Sequence, residues 1–268
     1  MSQKLEIAVL GHGAIAGYVV DQVLNIPKIS IAALLCRKGS QGRAEAFAVG
    51  RFPVYTSVGS LKSWPDLMVD CSGHSGLREH VPGALENGVD VISISTGALS
   101  DSGFAVKLEE CARAGNASIR FLSGAVGGID ALTSGSVGDI ASVTYTGRKS
   151  PLGWKGSPAE EKCDLGSLTE PFEHFRGTAR QAARDYPKNA NVAATIALAS
   201  VGLDSVDVRL IADPYVDKNI HEIEASGEFG ELFLRVQGNA LPENPKSSAL
   251  AAMSIVGELK RRISRIGI

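Results

Sequence analysis

The stretch "IAVLGHGAIAGYVVDQVL" joins a short apolar run to an amphipathic segment through Gly11, Gly13 and Ala16. No other feature constrains the fold as tightly as this GxGxxA spacing. Gly11 permits a tight turn out of a strand, Gly13 lets a pyrophosphate approach the backbone, and Ala16 allows the following helix to pack close to the strand. Ala14 and Ile15 open that helix, whose N-terminal amides then receive the phosphates. The pattern is short, so its weight comes from the strands and helices downstream of it.

Through about residue 122, short apolar runs alternate with amphipathic segments: "LEIAVL", Ile15 to Leu24, "ISIAALL", Gly42 to Phe47, "DLMVDCSG", Ser75 to Asn87, "DVISIS", Ser102 to Ala114 and "SIRFLSG". Continuous Val/Ile/Leu runs suit strands buried on both faces of a parallel sheet. Residues 1–122 therefore read as an α/β, Rossmann-type dinucleotide-binding domain. Gly88 and Gly115 each follow a helical segment and are placed as left-handed helix stops.

After Ser123 the strand candidates become longer and more polar: "DIASVTYTGRK", "SVDVRLIA", "NIHEIEAS" and "ELFLRVQGN", with helices near Thr178 to Tyr186 and Val192 to Val201. Consecutive strands predict a second, α+β domain over residues 123–244, built on a mostly antiparallel sheet. The stretch "GWKGSPAEEKCDLGS" is a loop, with Trp154 as an anchor or interface residue. Residues 245–268 predict a terminal amphipathic helix docking on the first domain, its dipole complemented by Lys260, Arg261 and Arg262.

A formal net charge of -2 leaves no basic footprint for nucleic acid, so a small-molecule partner is expected. The apolar runs fall short of the roughly 18 residues that span a bilayer, and the start has no signal-peptide layout, so a cytoplasmic protein off the membrane is expected. Cys36, Cys71, Cys111 and Cys163 show no metal-ligand spacing; reduced, structural thiols and no metal site are expected.

The acidic residue that would hold the adenosine ribose after the second strand is missing. "LLCRK" instead places Arg37 and Lys38 where a 2'-phosphate would sit, which predicts that NADP is accepted, together with NAD. Ser72 and Gly73, at a later strand end, are expected near the nicotinamide; His74 and His80 beyond them are expected to be surface or helix-capping residues.

Three motifs of the second half, "SGAVGGIDAL", "YPKNANVAATIALASVGLD" and "ADPYVDKNIHEIEASGEFG", followed by "NPKSSALA", together resemble the L-aspartate dehydrogenase family, over most of the chain from Leu5 onward. The resemblance implies that His221 is the active-site residue, that Ala125 contacts NAD through its backbone amide, and that Asn191 contacts the cofactor. Asn191 also has a plainer reading as a helix cap. The implied reaction is oxidative deamination of L-aspartate to iminosuccinate, then oxaloacetate and ammonia, with a role in NAD biosynthesis.

Histidine's ordinary pKa of about 6.5 suits proton relay near neutrality. Strand alternation sets Asn219, not Glu222, on the face of His221, as the neighbour that would orient it. A substrate with two carboxylates needs cations and hydroxyls; Arg148, Lys149, Lys246, Ser247, Ser248 and Asn191 are the candidates. Arg148 and Lys149 have a plainer reading as a solvated strand end, and Ser247 or Ser248 as an N-cap. The second sheet, short of helices to cover it, is the expected homodimer surface. A dihydrodipicolinate-reductase-like or sugar-dehydrogenase-like oxidoreductase and a non-catalytic NAD(P)-binding sensor stay open as rivals.

Overall fold

The computed structural model of the chain describes residues 4–187 and 191–266, without the side chains of Pro245 and Lys246. Its strands are β1 (Leu5–Leu10), β2 (Ile29–Leu35), β3 (Val54–Tyr55), β4 (Leu67–Asp70), β5 (Asp90–Ser93), β6 (Ile119–Phe121), β7 (Ile140–Lys149), β8 (Phe172–Thr178), β9 (Asp207–Ala212), β10 (Asn219–Gly227), β11 (Gly230–Gly238), β12 (Ala240–Leu241) and β13 (Asn244–Ser248). Its helices are α1 (Ala14–Val23), α2 (Gln41–Ala48), α3 (His74–Glu86), α4 (Ser102–Ala114), α5 (Ile129–Gly135), α6 (Ala179–Asp185), α7 (Asn191–Leu198) and α8 (Ala249–Ile263). They form two compact units, one of Met1–Gly124 with Ala251–Ile268 and the other of Ala125–Leu250.

The first unit is a parallel sheet in the order β3-β2-β1-β4-β5-β6. This is the doubly wound Rossmann arrangement, whose strand order reverses between β1 and β4; ligands bind outside the carboxyl ends at that reversal. Alternation explains the apolar run Ile7 to Leu10 of β1. Ile7 and Val9 pack with Val19 and Val20 of α1 and with Ile255, Val256 and Leu259 of α8, while Ala8 and Leu10 pack with Leu77 and Val81 of α3 and Leu108 of α4. Both sheet faces are thus covered, and a polar residue between Ile7 and Leu10 would be buried without a partner.

The second unit holds a five-stranded sheet in the order β11-β10-β7-β9-β8, antiparallel except for the parallel β7–β9 pair, and a small β12–β13 ladder. α6 starts at a capping box: the Thr178 hydroxyl accepts from the Gln181 amide while the Gln181 side chain accepts from the Thr178 amide.

Several local expectations are corrected. Gly88 adopts φ +78°, but Gly115 stays at φ -89° and the left-handed position passes to Asn116, at φ +50°. A glycine is needed at Gly115 for a different reason, since a Cβ there would lie 1.8 Å from the Leu85 carbonyl oxygen. β8 forms in a stretch that the sequence left without a strand. Ser247 is extended in β13 and its hydroxyl accepts from the Asn244 side-chain amide at 3.0 Å, whereas Ser248 directly precedes α8, where a helix start was expected. His80 is 2% exposed inside α3 and is not a surface residue. Among the described residues no helix is long and apolar enough to cross a membrane, and no His/Cys/Asp/Glu group is arranged to hold a metal. All four cysteines are free thiols.

Candidate active site

The glycine loop has the geometry that a dinucleotide requires. Gly11 sits at φ +110°, and a Cβ there would come within 2.9 Å of the Cys71 carbonyl oxygen, so only glycine fits. Gly13 caps α1 without any side-chain partner, and a Cβ at Gly13 would meet nothing within 4 Å. Open space therefore lies beside a helix start whose amides, at Ala14 and Ile15, lack a side-chain cap. Ala16 is fully buried in the core that contains Ile7 and Val9.

The Arg37 guanidinium donates to the Ser75 hydroxyl at 3.1 Å, and Lys38 is exposed. Two further residues went unnoticed in the sequence. His12, inside the glycine loop, has a buried Nδ1 without a hydrogen-bond partner, and its pKa is lowered by burial and by the charges of Arg43 and Arg37. Arg43 of α2 thus joins Arg37 in a cationic neighbourhood beside the loop. Ser72 does not present a free hydroxyl, because it donates to Asp70 at 2.6 Å. Asp70, fully buried at the end of β4, also accepts from the Ser72 amide at 2.9 Å and from the hydroxyls of Ser93 and Ser95 at 2.6 and 2.9 Å. This ties the ends of β4 and β5 together beneath Gly73, which takes φ +78° to start α3.

In the second unit, His221 of β10 lies opposite Gly147 of β7. Tyr145, Gly147 and Lys149 alternate onto the face of His221, while Arg148 takes the other. The Tyr145 hydroxyl is 2.8 Å from His221 Nδ1, with the two rings 19° from parallel. Asn219 is therefore not the residue that holds the imidazole; Tyr145 does so from a neighbouring strand. Glu222 faces away and pairs with Arg235 at 3.3 Å.

The surroundings of His221 pull it below the near-neutral range of a free imidazole. Burial, with a smaller push from the Lys149 charge, lowers its pKa to about 3. Lys149 is itself buried, which lowers its pKa to about 8, and its ammonium lies 5.0 Å from the centre of the Trp154 ring. Trp154 is an anchor, with its indole N–H donating to the Ile211 carbonyl at 2.9 Å. His174 meets that ring edge-on at 4.4 Å and shares a 3.1 Å hydrogen bond with Tyr186; burial, then the Lys149 charge, lowers its pKa to about 4.

Arg148 donates to buried Asp213 at 2.7 Å, so its charge is already engaged. Asn191 is the first residue of α7, not a residue before it, and its carbonyl accepts from the Thr195 hydroxyl at 3.0 Å. Ala125 is buried in the turn that leads to α5. The Lys246 side chain lies outside the described residues. A cavity of about 420 Å³, lined in part by Ser150, Lys155, Lys218 and Asn219, opens at the start of β10, two residues from His221. Lys155 and Lys218 had drawn no attention in the sequence, since isolated lysines in loops usually face solvent.

Residues 130–262 match the family model described as aspartate dehydrogenase, C-terminal, and residues 11–122 match that of the homoserine dehydrogenase NAD binding domain. An L-aspartate dehydrogenase of Ruegeria pomeroyi is 48% identical over 97% of this chain and 93% of its own length. One from Ralstonia pickettii is 45% identical over 98% of this chain and 100% of its own. Among solved structures, the aspartate dehydrogenase of Thermotoga maritima superposes with a TM-score of 0.76 at 26% identity, covering 99% of this chain and 100% of the other. A hyperthermophilic archaeal homoserine dehydrogenase in complex with NADPH shares the fold, with a TM-score of 0.60 at 14% identity over 97% of each chain.

Proposed function

The chain belongs to the L-aspartate dehydrogenase family, and from that premise we propose how its residues support the NAD(P)-dependent oxidative deamination of L-aspartate. The bound cofactor supplies the hydride acceptor, and iminosuccinate formed from the substrate is hydrolysed to oxaloacetate and ammonia. The observation that carries the reading is the buried His221, set with Lys149 on one sheet face beside a cavity that holds further cations. His221, neutral at working pH, meets the reacting carbon's substituents. Lys149, charged up to about pH 8, attracts a substrate carboxylate. Lys246, Ser247 and Ser248 stay candidates for the second carboxylate, and Arg148 acts indirectly by holding the β7 end to Asp213.

On the cofactor side, the amides of Ala14 and Ile15 receive the pyrophosphate and Gly11 and Gly13 make room for it, while the family resemblance assigns cofactor contacts to the Ala125 amide and to Asn191. Ser72 and Gly73 shape the strand end. Arg37, Lys38 and Arg43 favour a 2'-phosphate, so NADP is used alongside NAD. The product iminosuccinate suits a role in NAD biosynthesis in the cytoplasm, and the outer face of the second sheet, which carries exposed Phe233, suits a homodimer contact.

The test is NAD(P)H formation with L-aspartate and a panel of other amino acids and polyols, with each cofactor. Turnover confined to L-aspartate is expected. Turnover with a different substrate, or with none, refutes the reading.

A further inference from the structure

Taking His221 as the residue that meets the substrate, the remaining question is which of its nitrogens carries the proton. Tyr145 is 1% exposed, and among the described residues His221 Nδ1 is the one polar group within hydrogen-bond distance of its hydroxyl. Burial raises the phenol's pKa well above its ordinary value, so the hydroxyl keeps its proton. A buried O–H requires an acceptor. Were Nδ1 to carry a hydrogen, it would donate to the phenolic oxygen and leave the phenol's own proton without a partner.

The surrounding residues enforce this contact. A Cβ on Gly147, directly across from His221, would lie 2.7 Å from the Tyr145 hydroxyl oxygen and 3.2 Å from its ring carbon Cζ. The missing side chain is the gap through which the hydroxyl reaches along the strand to the imidazole. Lys149, two residues further on the same face, adds positive charge that opposes the doubly protonated ring. The remaining state is a neutral imidazole with hydrogen on Nε2.

We propose that Tyr145 is a positioning residue that donates to His221 Nδ1 and fixes the neutral Nε2–H tautomer, so that His221 serves the reaction as a hydrogen-bond donor and not as a proton store. The Nε2–H group holds the electronegative atom on the substrate's reacting carbon: the oxygen of the water adduct of iminosuccinate in one direction, and the carbonyl oxygen of oxaloacetate in the other. No net proton passes through the ring: the protons released by the substrate ammonium and by the attacking water go to solvent, and the hydroxyl proton of the water adduct leaves with the nitrogen as ammonia. The phenol and the imidazole each keep the hydrogen they started with, and the stabilisation is electrostatic. This deepens the functional reading and rests on it for the identity of the substrate.

The test reads the tautomer directly. Protein labelled with ¹⁵N histidine, with and without added NAD, is examined by two-bond ¹H–¹⁵N correlation of the imidazole rings, with the His221 signals assigned by their loss in His221→Gln. The expected spectrum has a protonated Nε2 and an unprotonated Nδ1, unchanged from about pH 6 to about pH 9. Tyr145→Phe, which keeps the ring and removes the hydroxyl, should give mixed tautomers and lower kcat by about 10- to 100-fold with little change in KM, as for other partners that orient a working histidine. A wild-type Nδ1–H signature, titration of the ring within that range, or a Tyr145→Phe variant with unaltered tautomer and turnover would overturn the proposal. Because the spectrum needs no turnover, its failure is separate from a failure to oxidise L-aspartate.

Discussion

Burying a histidine in its neutral form makes the fold sensitive to acid, and at His221 the effect can be isolated. In the unfolded chain the imidazole titrates at about 6.5, whereas burial and then Lys149 lower it to about 3 in the folded protein. Above the unfolded value neither state binds the proton, and the full stability is present. As pH falls below about 6.5 the unfolded chain takes up a proton that the folded protein refuses, so stability drops and goes on dropping toward pH 3. At pH 5.5, one unit below the unfolded value, the penalty from this one residue is about 1.4 kcal/mol. The assay is urea unfolding of wild type and His221→Asn at about pH 8 and about pH 5.5, comparing the stability lost by each between the two conditions. Wild type should lose about 1.4 kcal/mol more than the variant. His174, whose pKa is also lowered, and the carboxylates act in both proteins and cancel. Equal losses would show that His221 already titrates near its ordinary value when folded, and the buried, neutral imidazole would have to be abandoned.

Asp70→Ala removes the acceptor for three hydroxyls and one amide at the ends of β4 and β5, and should lower unfolding free energy by about 3 kcal/mol or more in the same urea assay. Gly147→Ala pushes a methyl against the Tyr145 hydroxyl and should reduce kcat by at least about tenfold while the protein still unfolds cooperatively. Arg37→Ala should raise KM for NADP by about tenfold and leave KM for NAD nearly unchanged, since a charge-assisted contact to a phosphate is lost. Calorimetric binding of succinate, an unreactive dicarboxylate, should weaken above about pH 8 as Lys149 loses its proton, and Lys149→Met should abolish that dependence.

What the sequence made legible was local. The glycine spacing around Gly11 and Gly13, the apolar run of β1 and the helix of residues 102–114 all carry their information within one strand or a few helical turns, and each appears where it was expected. β8 escaped because "FEHFRGT" mixes charges and a glycine into an edge strand, whose apolar alternation is weak there. Gly115 was given the right residue-type logic with the wrong cause: a close approach to Leu85, thirty positions away, decides it, not the helix end.

The candidate site divides in the same way. His221 was singled out by its motif, but the Tyr145 that meets it lies 76 residues earlier and reaches it only through the β7–β10 register. The pKa of His221 could not be anticipated either, because burial and the proximity of Lys149 are products of packing. Arg148 and Lys149 looked equivalent as adjacent cations. Strand alternation separates them, one to the ion pair with Asp213 and the other to the face of His221.

The most direct measurement of the central claim is steady-state turnover of L-aspartate with NAD by wild type and His221→Ala at saturating cofactor. Loss of one preorganised hydrogen-bond donor at the reacting centre should lower kcat by about 100-fold or more, with the variant still folded and still binding NAD. Wild-type activity in the variant would contradict the account and return His221 to the sheet as a structural residue.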